Sequence, residues 1–201
     1  YTDLSGAAAA ASATDLVNQG QATLSSSSVT ANQKGETPEE SFNDGVVAQD
    51  FANMTWFLDA AGQLPATVTL NLDVSTNTHG YNISEVNSIA GWHGGVQAHQ
   101  VMTVEYSLMG SADWIQLGDD AFKNEAAGDG EFSRLQLTGE SAGFLAVGVD
   151  ALRFTYAKPA GTDRLVIHEI DVIGVPQVVL IDGNTYKGES VAMDGKWLSI
   201  D

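Results

Sequence analysis

An all-β fold, an antiparallel β-sandwich of jelly-roll type, is what this sequence predicts, and three observations predict it. Apolar residues recur with a period of two in one segment after another, the period at which successive side chains leave opposite faces of a strand. Turn clusters such as Gly110-Ser111-Ala112-Asp113, Gly118-Asp119-Asp120 and Gly128-Asp129-Gly130 separate those segments. No stretch carries a long amphipathic helical repeat. With 201 residues, 43% of them hydrophobic, the chain can supply the core of one large β domain.

Taken in order, residues 1–14 are small and polar without periodicity and read as a flexible lead-in. Candidate strands follow at 21–30 and 55–58. Residues 66–74 alternate cleanly, with Val68, Leu70, Leu72 and Val74 on one face and Thr67, Thr69, Asn71 and Asp73 on the other. After a strand at 82–89, Met102, Val104, Tyr106 and Leu108 repeat the pattern against Thr103, Glu105 and Ser107. Trp114 follows a turn, opens a strand at 114–117 and reads as a core residue. Strands at 134–138, at Leu152, Phe154 and Tyr156 against Arg153 and Thr155, and at 165–173 complete a sandwich spanning 15–175. One wet face per strand is the mark of antiparallel sheets. Residues 176–201, with Asp-Gly turns at 182–183 and 194–195, predict a small C-terminal β-meander. It either packs on the sandwich or begins a further domain of a longer parent protein.

Charge narrows the partners. With 26 acidic and 8 basic residues the formal charge is −18, which repels nucleic-acid phosphates and anionic membranes. Such an excess suits solubility or the recruitment of divalent cations. The absence of cysteine rules out disulfides and thiolate metal sites. No apolar run approaches the eighteen or so residues of a membrane helix, and any export signal is expected to have been removed. A composition rich in Ser, Thr, Asn, Gly and Asp resembles that of exported bacterial surface proteins, so a secreted or cell-surface location is expected.

Two regions carry chemistry. Ser41-Phe42-Asn43-Asp44-Gly45, followed by Thr55-Trp56, and the late segment 164–174 combine an acidic glycine turn with a strand bearing carboxylates. Calcium takes six to eight oxygens from carboxylates and backbone carbonyls, and a turn of this kind presents both. The segment 91–100 instead sets Trp92, His93, His99 and Gln100 among glycines. A flat apolar face ringed by neutral donors and acceptors suits a sugar. His93 and His99 alone, without a third His or a Cys nearby, make a poor transition-metal site. His79 and His168 read as structural.

The order of these parts resembles the discoidin-like family, the coagulation-factor C-terminal type of domain, within the galactose-binding-like jelly rolls. The resemblance runs over residues 14–174 or so. It is carried by the segment 20–27, by Phe42-Asn43-Asp44-Gly45 with Thr55-Trp56, by the strands at 67–73 and 104–108 with the turn leading to Trp114, and by the segments 151–156 and 168–174. It implies a structural calcium held by the Phe42 carbonyl, Asp44, Thr55 and Glu169. A departure is the loop 46–54, longer than usual and carrying Asp50. In the carbohydrate-binding modules of this type the ligand lies on loops at one end, which suggests Trp92, His93, His99 and Gln100 by loop placement alone. Arg153 stands where the family often has arginine and either faces a ligand or pairs with a carboxylate. The resulting expectation is a non-catalytic module that binds carbohydrate or a glycoconjugate, or acts in adhesion, with no enzymatic activity. The competing readings are a polysaccharide hydrolase with two carboxylates and a purely structural or protein-binding surface domain.

Overall fold

In a computed structural model of the chain, residues 2–5, 11–12, 14–26, 42, 45, 47, 55–58, 61–91, 98–125, 132–139 and 143–178 are described. They form eleven strands and no α-helix: β1 (Thr2–Ser5), β2 (Ala22–Ser26), β3 (Thr55–Leu58), β4 (Ala66–Leu72), β5 (Tyr81–Gly91), β6 (Gln100–Leu108), β7 (Trp114–Gln116), β8 (Phe122–Asn124), β9 (Phe132–Thr138), β10 (Ala146–Ala157) and β11 (Arg164–Pro176). Every pairing is antiparallel. A front layer runs β2-β4-β10-β6, with β7 and β8 sharing the free edge of β6. A back layer runs β1-β9-β5-β11-β3. The layers join at one corner, where the start of β10 leaves β6 and pairs with β5 through Ala146↔Ile83 and Val149↔Tyr81.

Alternation decides what is inside. Val68, Leu70, Met102, Val104, Leu152, Phe154 and Tyr156 of the front layer meet Ile83, Val86, Leu135, Leu137, Leu165, Ile167, Ile170 and Val172 of the back layer in one core. Residues 165–172 of β11 are buried on both faces, so His168, Glu169 and Asp171 are buried along with the aliphatic residues between them. The corner is closed by glycine. Gly80 has φ +78°, donates to the Asn77 carbonyl at 2.8 Å, and lies so close to the β10 backbone that a Cβ there would sit 2.7 Å from the Val149 carbonyl oxygen.

The structure corrects three expectations. Residues 1–14 are not merely a lead-in: β1 pairs with β9 from Thr2↔Gln136 to Ser5↔Ser133, and the Ser12 amide donates to Asp171 Oδ1 at 3.1 Å. A four-residue strand without internal alternation is made a strand by its partner, which no local pattern records. The short β8, pairing with β6 over Gln100↔Asn124 to Met102↔Phe122, escaped the sequence for the same reason. Trp114 is not core: Ser107↔Trp114 places it on the outer face of the front layer, half-buried beneath Arg153. The proposed C-terminal meander falls, beyond Val178, outside the described residues.

Candidate functional site

Strand register divides the sandwich into two ends. One gathers Tyr81, Pro176, Val149 and Leu108; the other gathers Gly91, Phe132, Ile167 and Thr55. Both regions singled out in the sequence lie at the second end. Phe42 is fully buried, its ring stacked 6.1 Å from Phe57, which in turn stacks 6.1 Å from Tyr156. Burying a phenylalanine contributes about 1.5–3 kcal/mol, which anchors Phe42 itself against β3 of the back layer.

The backbone then finishes the clasp. Ile170 N donates to the Phe42 carbonyl at 3.2 Å, and Gly45 N donates to Glu169 Oε2 at 3.2 Å. Thr55 pairs with Ile167, two residues before Glu169, and its Oγ1 is buried without a hydrogen-bond partner. Gly45 and Glu169, 124 residues apart, are thus joined, Phe42 is tied to the next residue of β11, Thr55 pairs with the same strand two residues earlier, and Glu169 itself is fully buried. Asp44 lies outside the described residues. A buried carboxylate, a nearby carbonyl and an unsatisfied hydroxyl are hard oxygen donors and fit a hard cation. Among the described residues no group of three or more His, Cys, Asp or Glu side chains makes a metal cluster, so the fit rests on the mixed oxygen set.

The base of the segment 91–100 is attached to the same strand. His168 Nε2 lies 2.7 Å from the Gly91 carbonyl and donates to it in the Nε2–H tautomer, while the imidazole meets the Phe132 ring edge-on at 5.1 Å. Trp92 and His93 lie outside the described residues. His99 is nine-tenths buried and Gln100 is fully buried, so neither is the exposed loop residue expected.

Gln100 instead bridges the layers. Ser88 Oγ donates to Gln100 Oε1 at 2.7 Å and receives the Tyr156 hydroxyl at 2.9 Å. Gln100 Nε2 donates to Ser133 Oγ at 2.9 Å and to the Ser88 carbonyl at 3.1 Å, and Ser133 Oγ donates in turn to the Ala98 carbonyl. Every member of this buried network is satisfied, the condition under which it strengthens a core rather than weakening it. Extending the alternation of Met102 and Val104 back by two residues puts Gln100 on the inner face, a signal present in the sequence and masked there by the adjoining glycines. Burial raises the Tyr156 hydroxyl well above its usual pKa, so it stays a donor at any physiological pH.

Arg153 is elsewhere, midway along β10 on the outer face of the front layer. Its guanidinium makes a two-pronged pair with Glu105 at 2.8 Å for both bonds and lies 4.3 Å above the Trp114 ring. The carboxylate pairing that the sequence offered for Arg153 is present.

Outside both sites, Asp171 of β11 stands across from Asn87 of β5 on the outer face of the back layer, fully buried. Desolvation, helped by the charges of Asp15 and Glu85, pushes its carboxyl up to about 6.

No protein-family model and no curated protein sequence matches the chain. Solved structures do match in fold. A Clostridium perfringens module described as CpGH89CBM32-5, in complex with GalNAc-β-1,3-galactose, aligns with a TM-score of 0.53 at 14% identity over 77% of this chain and 96% of its own. The family 32 carbohydrate-binding module of C. perfringens NanJ, in complex with galactose, aligns at 0.52 and 15% over 77% and 94%. The C-terminal domain of a Bacteroides fragilis chitobiase aligns at 0.50 and 16% over 77% and 94%. The fold is therefore the discoidin-like, galactose-binding-like β-sandwich that the sequence resembles.

Proposed function

We propose that this chain is a non-catalytic carbohydrate-binding module of an exported bacterial protein, with a structural calcium ion and a sugar-binding surface on the segment 91–100. The observation that carries the reading is the convergence at one end of the sandwich. The oxygen set of Phe42, Thr55 and Glu169 lies next to His168, which holds the Gly91 carbonyl at the root of that segment. Two solved modules of the same fold, described in complex with galactose and with GalNAc-β-1,3-galactose, support the ligand class. The calcium would be held by the Phe42 carbonyl, Asp44, Thr55 and Glu169, and would supply charge neutralisation for the buried carboxylate. Trp92 would stack on the apolar face of a sugar ring while His93 reads its hydroxyls. Secretion or surface display agrees with the acidic composition rich in Ser, Thr, Asn, Gly and Asp.

A glycan-array screen of the purified chain, with calcium and with chelator, tests this. Binding to a defined glycan that weakens on Trp92→Ala is expected. If no glycan binds in either condition, the chain is better read as a spacer or protein-binding domain.

A further inference from the structure

One row of cross-strand partners runs over the outer face of the front layer: Thr23↔Asn71, Asn71↔Ala151, Ala151↔Ser107 and Ser107↔Trp114. Cross-strand partners share a face, so these five residues, one from each of β2, β4, β10, β6 and β7, form a single line across the sheet. Its middle is made of small side chains, Ala151 and Ser107, and its flanks of Asn71 and Trp114. The result is an open trough of about 440 Å³ walled by Asn71, Trp114 and Asp150, among others. A second trough of about 280 Å³ adjoins it at Asn71 and continues past Thr23 toward Gly20.

The groups along it are set in advance. Arg153, held by Glu105, fixes the Trp114 indole from one side, so the ring needs little ordering to accept a partner. Ser107 Oγ donates to Asp150 Oδ1, orienting that carboxylate. Asn71 is exposed, and no hydrogen bond among the described residues engages its amide. An aromatic ring bordering the trough, an amide and an oriented carboxylate suit a chain of sugar rings and their hydroxyls. Five strands side by side span about 19 Å at the usual spacing, the length of roughly four pyranose rings in line.

We propose that this trough binds an internal stretch of an extended, uncharged polysaccharide, a site separate from the loop end where a terminal sugar would be read. Anionic polymers are excluded by Asp73 and Asp150 on the trough and by the neutralisation of Arg153, the nearest cation along β10, by Glu105. The proposal rests on the carbohydrate reading above and adds a second place and a chain-length requirement to it.

The test uses the full chain in affinity gel electrophoresis and calorimetry against soluble neutral galactan, glucan, mannan and xylan, with oligosaccharides of one to six units of whichever polymer binds. The variants are Asn71→Ala, Trp114→Ala and Trp92→Ala, each checked by circular dichroism and thermal midpoint. Asn71→Ala, being exposed and outside any hydrogen bond, covers the case in which Trp114→Ala misfolds. Expected are polymer affinity rising with length to about four units, and a tenfold or greater loss of it in Asn71→Ala and Trp114→Ala with monosaccharide binding unchanged. If Asn71→Ala and folded Trp114→Ala bind polymer as the unaltered chain does while Trp92→Ala weakens it, the trough is overturned and the loop-end reading stands. A chain that binds no polymer and no sugar overturns both.

Discussion

Replacing Gln100 with leucine separates its two possible roles. As a loop ligand residue it would change sugar affinity and leave stability alone. As the bridge between the layers it must do the reverse. Leucine approximates the volume of glutamine, so little cavity forms, and the cost comes from the polar network. Ser88 Oγ loses its acceptor and Ser133 Oγ loses its donor, while Tyr156 still reaches Ser88 and Ser133 still reaches the Ala98 carbonyl. One buried hydroxyl proton stranded without an acceptor costs about 1–3 kcal/mol, and each lost bond with both ends dry adds about 1. The leucine side chain, buried beside Met102 and Val104, offsets about 1.5 kcal/mol of this. The expected loss is about 2 kcal/mol, or a fall in thermal midpoint of about 4–8 °C at this chain length. Urea unfolding followed by tryptophan fluorescence measures it. A loss under about 1 kcal/mol with an unchanged slope would refute the network as a stabilising bridge. Pairing the change with Ser133→Ala gives a direct coupling, expected to be non-additive because the two side chains share a bond.

Three further outcomes are expected. If calcium occupies the clasp at a hundred times its dissociation constant, chelation removes about 2.7 kcal/mol, and Glu169→Gln abolishes the calcium-dependent part of the thermal midpoint. A calorimetric midpoint indifferent to calcium in the unaltered chain would overturn the calcium site. Gly80→Ala forces a side chain into φ +78° and against the Val149 carbonyl, so a loss of about 2 kcal/mol or more is expected; an unchanged denaturation midpoint would count against the close approach at the corner. Asp171 titrates at about 6 in the fold against an ordinary value near 3.8, so between those pH values the folded chain binds more protons than the unfolded one. Its contribution to stability is then full below about pH 4 and falls as pH rises through about 6. Asp171→Asn, which keeps an oxygen for the Ser12 amide, should raise the midpoint at pH 8 more than at pH 4. Equal shifts at both pH values would show that the carboxyl is not perturbed.

Period-two alternation by itself determined the long strands and their inner faces, because burial of one face is written directly into side-chain chemistry: Val68, Leu70, Phe154 and Tyr156 sit where their spacing puts them. The ordered resemblance of weak motifs to a known family, not the alternation, brought Glu169 and the segment 42–45 under one hypothesis. Only the tertiary structure decided what depends on a partner strand. β1 and β8 are strands because β9 and β6 complete their hydrogen bonds, and a short segment carries no trace of its future neighbour. Trp114 faces outward because its register with Ser107 says so, a fact about two strands that neither contains alone. Gln100 turned from a ligand candidate into a core bridge for the same reason: its partners Ser88, Ser133 and, through Ser88, Tyr156 come from three other strands. Hydrophobic burial is encoded residue by residue, whereas polar pairing is encoded only by which residues the completed fold brings within 3 Å or so of each other.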